Sequence, residues 1–153
     1  MSDTTDHMPG QEGAPRLLPV PCHRDPRGAL AVLEGVGLPF AVQRLYWLFD
    51  VPLGAVRGEH GHRRLEQVLI CLHGVAEVTL TDGMRDWRFA LDDAGQALYL
   101  PAGLWRRIRF RAPDTVMAIL ASRPYEPADY IYAYEDFLAW VRAGRPPAPG
   151  AAG

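Results

Sequence analysis

The chain has 153 residues, of which 48% are hydrophobic, so it is long enough for one domain with a buried core and short for two. Its 16 basic residues, all arginine, and its 18 acidic residues give a formal net charge of −2, which excludes the strongly basic surface of a typical nucleic-acid-binding protein. The sequence has no apolar segment near its N-terminus and no run long enough to span a membrane. We therefore expect a cytoplasmic protein without a membrane or nucleic-acid partner.

Composition divides the chain into three parts. Residues 1–15 are rich in Ser, Thr, Asp, Gly and Pro, and they predict a disordered N-terminal arm. Residues 143–153 consist mostly of Ala, Pro and Gly, and they predict a disordered tail. A single folded domain is expected over residues 16–142.

Within this domain, short apolar or alternating segments separated by turn signals predict eight strands. In chain order they are 30–33, 41–49, 67–72, 76–80, 88–91, 97–100, 105–110 and 115–121. Asp82-Gly83, between two alternating segments, is the strongest hairpin signal. Apolar residues at helical spacing over 134–141 predict one helix, with residues 127–129 as its start. Short strands at this spacing favour an all-β barrel or jelly roll.

The densest polar cluster lies at residues 57–62, where one residue separates His60 from His62. On an extended chain these two side chains project to the same face, with Cα atoms roughly 7 Å apart. The pair could form a metal site, a proton-transfer site or a surface pair. An unperturbed imidazole titrates at a pH of about 6.5, which suits acid–base catalysis. Four arginines would suit an anionic substrate such as a diphosphate: Arg27, Arg44, Arg57 and Arg106.

The spacing around the histidines resembles the cupin superfamily. Its first motif is matched by Gly54, His60, His62, Glu66 and Gly74, and its second by Gly95, Pro101 and Gly103. Arg106 stands where the second motif has a histidine ligand, and a guanidinium cannot ligate a metal. A site made of the two histidines and Glu66 alone stays open, but the expectation is a metal-free site. The resemblance implies an all-β fold, a double-stranded β-helix (jelly-roll) barrel with a short C-terminal helix.

Between Asp25 and Phe137 the chain resembles a narrower family, the nucleotide-sugar 3,4-ketoisomerases that include the WxcM-like cupins. The most specific motifs are Arg-Gly-Glu-His-Gly-His at 57–62, Asp-Tyr-Ile at 129–131 and Tyr-Glu-Asp-Phe at 134–137. The resemblance implies conversion of TDP-4-keto-6-deoxy-D-glucose to the 3-keto isomer through a C3–C4 enediol, in deoxy(amino)sugar or antibiotic biosynthesis. It also implies no cofactor, and a homodimer with strand exchange that binds a TDP-linked keto sugar.

The same resemblance assigns roles to residues of this chain. It makes His62 the catalytic base and His60 its partner in proton transfer, with Tyr46 lining the sugar pocket. The substrate-binding residues that it implies are Arg27 and Arg106 near the sugar, Arg44 and Arg57 at the phosphates, and Gln67.

Other interpretations of these residues stay open at this point. Tyr46 could simply line the barrel, Arg106 could pair with Glu66, and the tyrosines at 99, 125, 130 and 134 are expected to be packing residues. The alternative functions are a cupin-type TDP-sugar epimerase, a metal-dependent oxygenase and a non-catalytic sugar-binding cupin.

Overall fold

A computed structural model describes residues 13–150, which contain twelve strands and one α-helix. The strands are β1 (Arg16–Leu18), β2 (Cys22–Asp25), β3 (Gly28–Ala31), β4 (Arg44–Leu48), β5 (Val56–His62), β6 (Gln67–His73), β7 (Ala76–Thr81), β8 (Asp86–Leu91), β9 (Ala97–Leu100), β10 (Trp105–Phe110), β11 (Val116–Ala121) and β12 (Tyr130–Ile131). The helix is α1 (Tyr134–Arg142). Within residues 13–150, no helix has the length and apolar character needed to cross a membrane.

The strands form two five-stranded antiparallel sheets and a separate hairpin. The first sheet has the order β1-β9-β6-β11-β4, the second has the order β12-β5-β10-β7-β8, and β2 pairs with β3. The prediction of an all-β domain with one short C-terminal helix is confirmed.

The hydrophobic core lies between the two sheets and follows the alternation of their strands. On β7, Ala76, Val78 and Leu80 are buried, whereas the residues between them are partly exposed. Leu69 on β6 and Met117 on β11 meet them from the first sheet. Burying this apolar surface is the dominant force that holds the two sheets together.

The segment before α1 differs from the prediction. The helix begins at Tyr134, whereas residues Pro127–Asp129 form a single 3₁₀ turn that leads into β12. The Asp129 carboxylate, which is buried, accepts the backbone N–H groups of Arg64 and Leu65 at 2.9 and 3.0 Å. These bonds attach the segment to the end of β5, and such long-range contacts are invisible to local periodicity.

The residues after α1 also differ from the predicted tail. Arg145 donates to the carbonyl oxygens of Gly103 (2.8 Å) and Asp82 (3.0 Å), and the indole N–H of Trp140 donates to the Pro146 carbonyl. Composition predicts disorder from residue 143, but the carbonyl partners that fix this segment come from distant loops. Most of the predicted N-terminal arm, residues 1–12, and residues 151–153 lie outside the described part of the chain.

Candidate active site

A β-bulge in β5 creates the polar inner face of the second sheet. Arg106 on β10 pairs with His60, but the next pair is Ile108 with Arg57, so β5 has one extra residue in this interval. Gly58 lies in the bulge with φ of 68°, a conformation that favours glycine. In a regular strand, residues three apart face opposite sides. The bulge instead brings Arg57, His60 and Arg106 to one cavity.

This cavity, of about 310 Å³, opens between the edges of the two sheets. It is lined by Arg44, Tyr46, Leu48, Arg57, Gly58, His60, Arg106 and Tyr130. The structure therefore brings together most of the residues that the sequence indicated. His62 lies directly behind the wall: its ring is 4.6 Å from that of His60 and 4.5 Å from that of Tyr130.

The guanidinium of Arg106 is the buried charge of the site, with only 3% of the residue exposed. Its Nη2 lies 3.2 Å from the Tyr46 hydroxyl and 3.2 Å from His60 Nε2, while Nε and Nη1 have no partner within residues 13–150. A buried cation without a counter-charge is costly. The site is therefore prepared for an anionic group.

Glu66 does not pair with Arg106. Its carboxylate instead accepts the Tyr99 hydroxyl at 2.5 Å, while its backbone N–H donates to Ser122. Nor do these residues fit the metal that many cupins hold. Arg106 donates to His60 Nε2 and places a positive charge beside it, and no three His, Cys, Asp or Glu side chains within residues 13–150 converge on one point.

Both imidazoles are neutral in this environment. Burial, and then the Arg106 charge, lowers the pKa of His60 to about 3. Burial is the largest cause that holds the pKa of His62 well below its ordinary value. The charge of Arg106, the repulsion that two protonated rings would exert on each other, and the charge of Arg44 follow in that order. The pKa of each histidine is therefore lower than that of the unperturbed imidazole expected from the sequence.

The hydrogen bonds also distinguish the two rings. Because a guanidinium can only donate, His60 Nε2 is the acceptor and the His60 proton lies on Nδ1. His62 Nε2 is buried and has no hydrogen-bond partner within the described residues. The His60 lone pair is thus engaged, whereas His62 Nε2 makes no hydrogen bond within the described residues.

Tyr46 is fixed by two donors. Gln67 Nε2 donates to its hydroxyl oxygen at 2.9 Å, and Arg106 Nη2 donates to the same oxygen at 3.2 Å. Gln67 is itself buried, so the phenol is rigidly held. With both lone pairs engaged, the Tyr46 hydroxyl can serve only as a donor.

Tyr130 is the site residue that the sequence interpretation missed. Its ring packs against His62 and His60, with centroids 4.5 and 5.1 Å apart, and its hydroxyl accepts Arg44 Nη2 at 3.0 Å. The register pairs Tyr130 with His62 across β12 and β5. The Asp-Tyr-Ile motif contains the residue, but no local pattern indicates that this two-residue strand returns to β5.

The two remaining arginines differ in position. Arg57 is exposed at the rim of the cavity, where the bulge places it. Arg27 is not brought to the cavity of its own chain. It lies on the turn of the β2–β3 hairpin, 89% exposed, and pairs with Asp25.

The neutral histidine pair predicts a specific acid sensitivity of folding. Because both pKa values are depressed in the folded state, the unfolded chain binds more protons below a pH of about 6.5, and stability falls from there toward lower pH. Between pH 6.5 and 5, before most carboxylates titrate, we expect the melting temperature of the protein to fall more than that of His60→Asn. An equal fall of the melting temperature in the two proteins, measured by circular dichroism, would contradict the depressed pKa values of the histidines.

Comparisons with known proteins agree with this geometry. The family model described as FdtA, WxcM-like, C-terminal, matches residues 14–142. The chain is 38% identical over 118 residues to the TDP-4-oxo-6-deoxy-alpha-D-glucose-3,4-oxoisomerase of Aneurinibacillus thermoaerophilus, covering 76% of this chain and 85% of that protein.

Two solved structures have the same fold. A 3,4-ketoisomerase from Helicobacter canadensis is 33% identical with a TM-score of 0.81, covering 84% of this chain and 98% of that one. QdtA, a sugar 3,4-ketoisomerase from Thermoanaerobacterium thermosaccharolyticum solved in complex with TDP, is 30% identical with a TM-score of 0.81, covering 85% and 96%. The cupin-type fold prediction is thereby confirmed, and the chain belongs to the FdtA, WxcM-like family of sugar 3,4-ketoisomerases.

Proposed function

We propose that this protein isomerises TDP-4-keto-6-deoxy-D-glucose to the TDP-3-keto-6-deoxy hexose. The observation that carries the proposal is a pair of neutral imidazoles, one lining the cavity and one packed against it. Beside them lies a buried guanidinium whose Nε and Nη1 have no partner within residues 13–150. This arrangement supplies a base and a site for developing negative charge. The relative from Aneurinibacillus thermoaerophilus, whose name states this substrate and reaction type, supports the same choice.

His62 acts as the base in this proposal. The C4 ketone acidifies the proton on C3, and a neutral imidazole with a free lone pair can remove it. Arg106 donates to Nε2 of His60, whereas Nε2 of His62 has no partner within residues 13–150. The electron pair of the C3–H bond then forms the C3–C4 double bond of an enediol, and the proton returned to C4 completes the carbon-to-carbon transfer. His60 sets the position of this ring through their edge contact.

Tyr46 and Arg106 stabilise the oxygen that gains electrons. As the C3 proton leaves, charge develops on the C4 oxygen, where preorganised donors are most effective. The Tyr46 hydroxyl is held with its proton free, and Nε and Nη1 of Arg106 have no partner within the described residues. During the reaction C4 is reduced and C3 is oxidised within one molecule, so no external electron acceptor is needed.

The diphosphate is expected to bind at the arginines of the cavity rim. Arg57 is exposed there, and Arg44 uses Nη2 for Tyr130 while its Nε lacks a partner within residues 13–150. The substrate's negative charge also offsets the guanidinium charges that depress the histidine pKa values. Substrate binding would thus make His62 a stronger base when a proton must be removed.

The active assembly is proposed to be a homodimer in which the hairpins exchange. Leu45 and Trp47 on β4, and Phe49 just after it, are exposed apolar residues at alternating positions, and an exposed apolar patch of this kind marks protein–protein contact sites. The β2–β3 hairpin is exposed along its whole length, and Arg27 has no role in the cavity of its own chain. A second copy would cover the apolar face and receive the hairpin.

The cytoplasmic location and the biosynthetic pathway stay predictions.

The reaction is tested by incubating the protein with TDP-4-keto-6-deoxy-D-glucose in deuterated buffer and identifying the product by NMR. We expect a 3-keto product that carries deuterium at C4. Exchange at C5 without a 3-keto product would indicate an epimerase, and binding without exchange would indicate a non-catalytic module. His62→Asn should abolish product formation and keep the affinity for TDP within a few-fold. Turnover near the normal rate in this variant would show that the base is wrongly assigned.

Arg57→Ala should raise KM with little change in kcat, because it removes a ground-state contact with the diphosphate. Arg88→Ala, on the distant edge strand β8, removes an exposed arginine of equal charge and serves as the control. Steady-state kinetics of the two variants makes the comparison. An unchanged KM for Arg57→Ala would remove this residue from the phosphate site.

Trp47→Glu should convert the dimer to a monomer, because it introduces a charge into the apolar face of β4. Met84→Glu, at an exposed residue of the β7–β8 turn, is the matched control. Sedimentation equilibrium decides the outcome. Dimeric Trp47→Glu, or a monomeric unmodified protein, would contradict the proposed interface.

A further inference from the structure

Isomerisation between adjacent carbons moves two protons. One passes from C3 to C4, and the proposed function assigns it to the imidazole of His62. The other passes from the C3 hydroxyl to the C4 oxygen, because the product has its ketone at C3 and its alcohol at C4. The second transfer requires a group that first donates a proton to one oxygen and then accepts a proton from the other.

Two tyrosine hydroxyls border the cavity, and their hydrogen bonds differ. The Tyr46 oxygen accepts from both Gln67 and Arg106, so in its neutral form it has no lone pair left. The Tyr130 oxygen accepts only from Arg44 among residues 13–150, at 3.0 Å. It keeps a free lone pair as well as its proton. In its neutral form Tyr130 can therefore accept from one substrate oxygen while it donates to the other, whereas neutral Tyr46 can only donate.

The surroundings of Tyr130 also suit a transient phenolate. Arg44 Nη2 donates directly to the phenol oxygen, and a guanidinium cation so placed would stabilise the negative charge left when the proton departs. The ring is held against both imidazoles, and the β12–β5 ladder pairs its backbone with that of His62. The phenol is thereby fixed next to the base that acts on C3.

From the hydrogen bonds of the two tyrosines, we propose that Tyr130 is a catalytic residue that carries the proton between the two sugar oxygens. This proposal rests on the proposed function. As His62 removes the C3 proton, the π pair of the C4 ketone moves to the C4 oxygen, which takes the Tyr130 proton. In the second half, His62 returns a proton to C4, and the electron pair of the C3 O–H bond forms the new C3 ketone. The proton of that hydroxyl goes to the Tyr130 phenolate, so the enzyme returns to its starting state.

Tyr130→Phe tests this role, because it removes the hydroxyl and keeps the ring that packs on the histidines. We expect kcat for the 3-keto product to fall by about 10²- to 10⁴-fold, the usual contribution of a positioned proton donor, with KM within a few-fold. Tyr46 and Arg106 remain to stabilise the enediolate. Deuterium from the solvent should therefore still enter C3 of the recovered substrate, measured by NMR. Such exchange without turnover is not expected from a purely structural defect.

Tyr132→Phe is the matched control. Its ring stacks on that of Tyr130 with a centroid distance of 5.5 Å, but its hydroxyl faces the Tyr125 hydroxyl at 3.3 Å, outside the catalytic cavity. This variant should keep the normal kcat. The Tyr130 role is overturned if Tyr130→Phe turns over within a few-fold of the unmodified protein, if its loss lies in KM alone, or if C3 exchange disappears together with turnover.

Incorporation of 3-fluorotyrosine at position 130 provides a second test that preserves the hydrogen bond and the packing. Fluorine makes a phenol more acidic, so the alkaline limb of the kcat profile should move to lower pH. If the alkaline limb of the kcat profile stays at the same pH, Tyr130 is not the proton donor. If the unmodified protein forms no 3-keto product, the proposed function is wrong. If the unmodified protein and the Tyr130 variants turn over equally fast, only the role of Tyr130 is wrong.

Discussion

The site depends on one interaction, the contact between the buried guanidinium of Arg106 and the Nε2 atom of His60. Because arginine only donates, this 3.2 Å contact fixes the tautomer of His60. The same charge, after burial itself, lowers the pKa of both histidines. It also engages Nε2 of His60 and would repel a metal cation bound beside that ring. A single cation thereby directs a cupin-type cavity toward proton transfer and the binding of anions.

The backbone makes room for this cation through Gly58. A Cβ atom on Gly58 would lie 3.3 Å from Arg106 Nη2, and the residue has φ of 68°. The bulge at this glycine is also what places Arg57 on the same face as His60. One strand thus carries both Arg57, the proposed phosphate-binding residue, and His60 of the proposed catalytic pair. Arg106 in turn connects β10 to Tyr46 on β4, so that one side chain links the two sheets across the cavity.

Much of the fold and part of the site could be predicted from the sequence. The alternation in β7 and the spacing of His60 and His62 are local properties, and the structure shows the corresponding burial and the close ring contact. A glycine inside a strand is also a recognised sign of a bulge. Gly58 was therefore a sign in the sequence of the bulge that places Arg57 at the cavity. These features depend only on neighbouring residues in the chain.

Other features depend on contacts that no local pattern contains. Tyr130 reaches the histidines through a two-residue strand, which Asp129 attaches to the residues after β5. The depressed pKa values arise from burial and from a cation on another strand. Arg27 is recognisable in the sequence, yet its own chain does not bring it to the cavity. In the proposed dimer, Arg27 would act in the cavity of a second copy of the chain.

The most direct test of this account is the protonation state of the two histidines, measured by ¹⁵N NMR of the imidazole nitrogens in the ligand-free protein at pH 5.5. The account predicts two neutral rings, with the His60 proton on Nδ1 and its Nε2 in the chemical-shift range of a hydrogen-bonded acceptor. A protonated imidazolium at either position, or a His60 proton on Nε2, would contradict the claim that Arg106 sets the chemistry of the site.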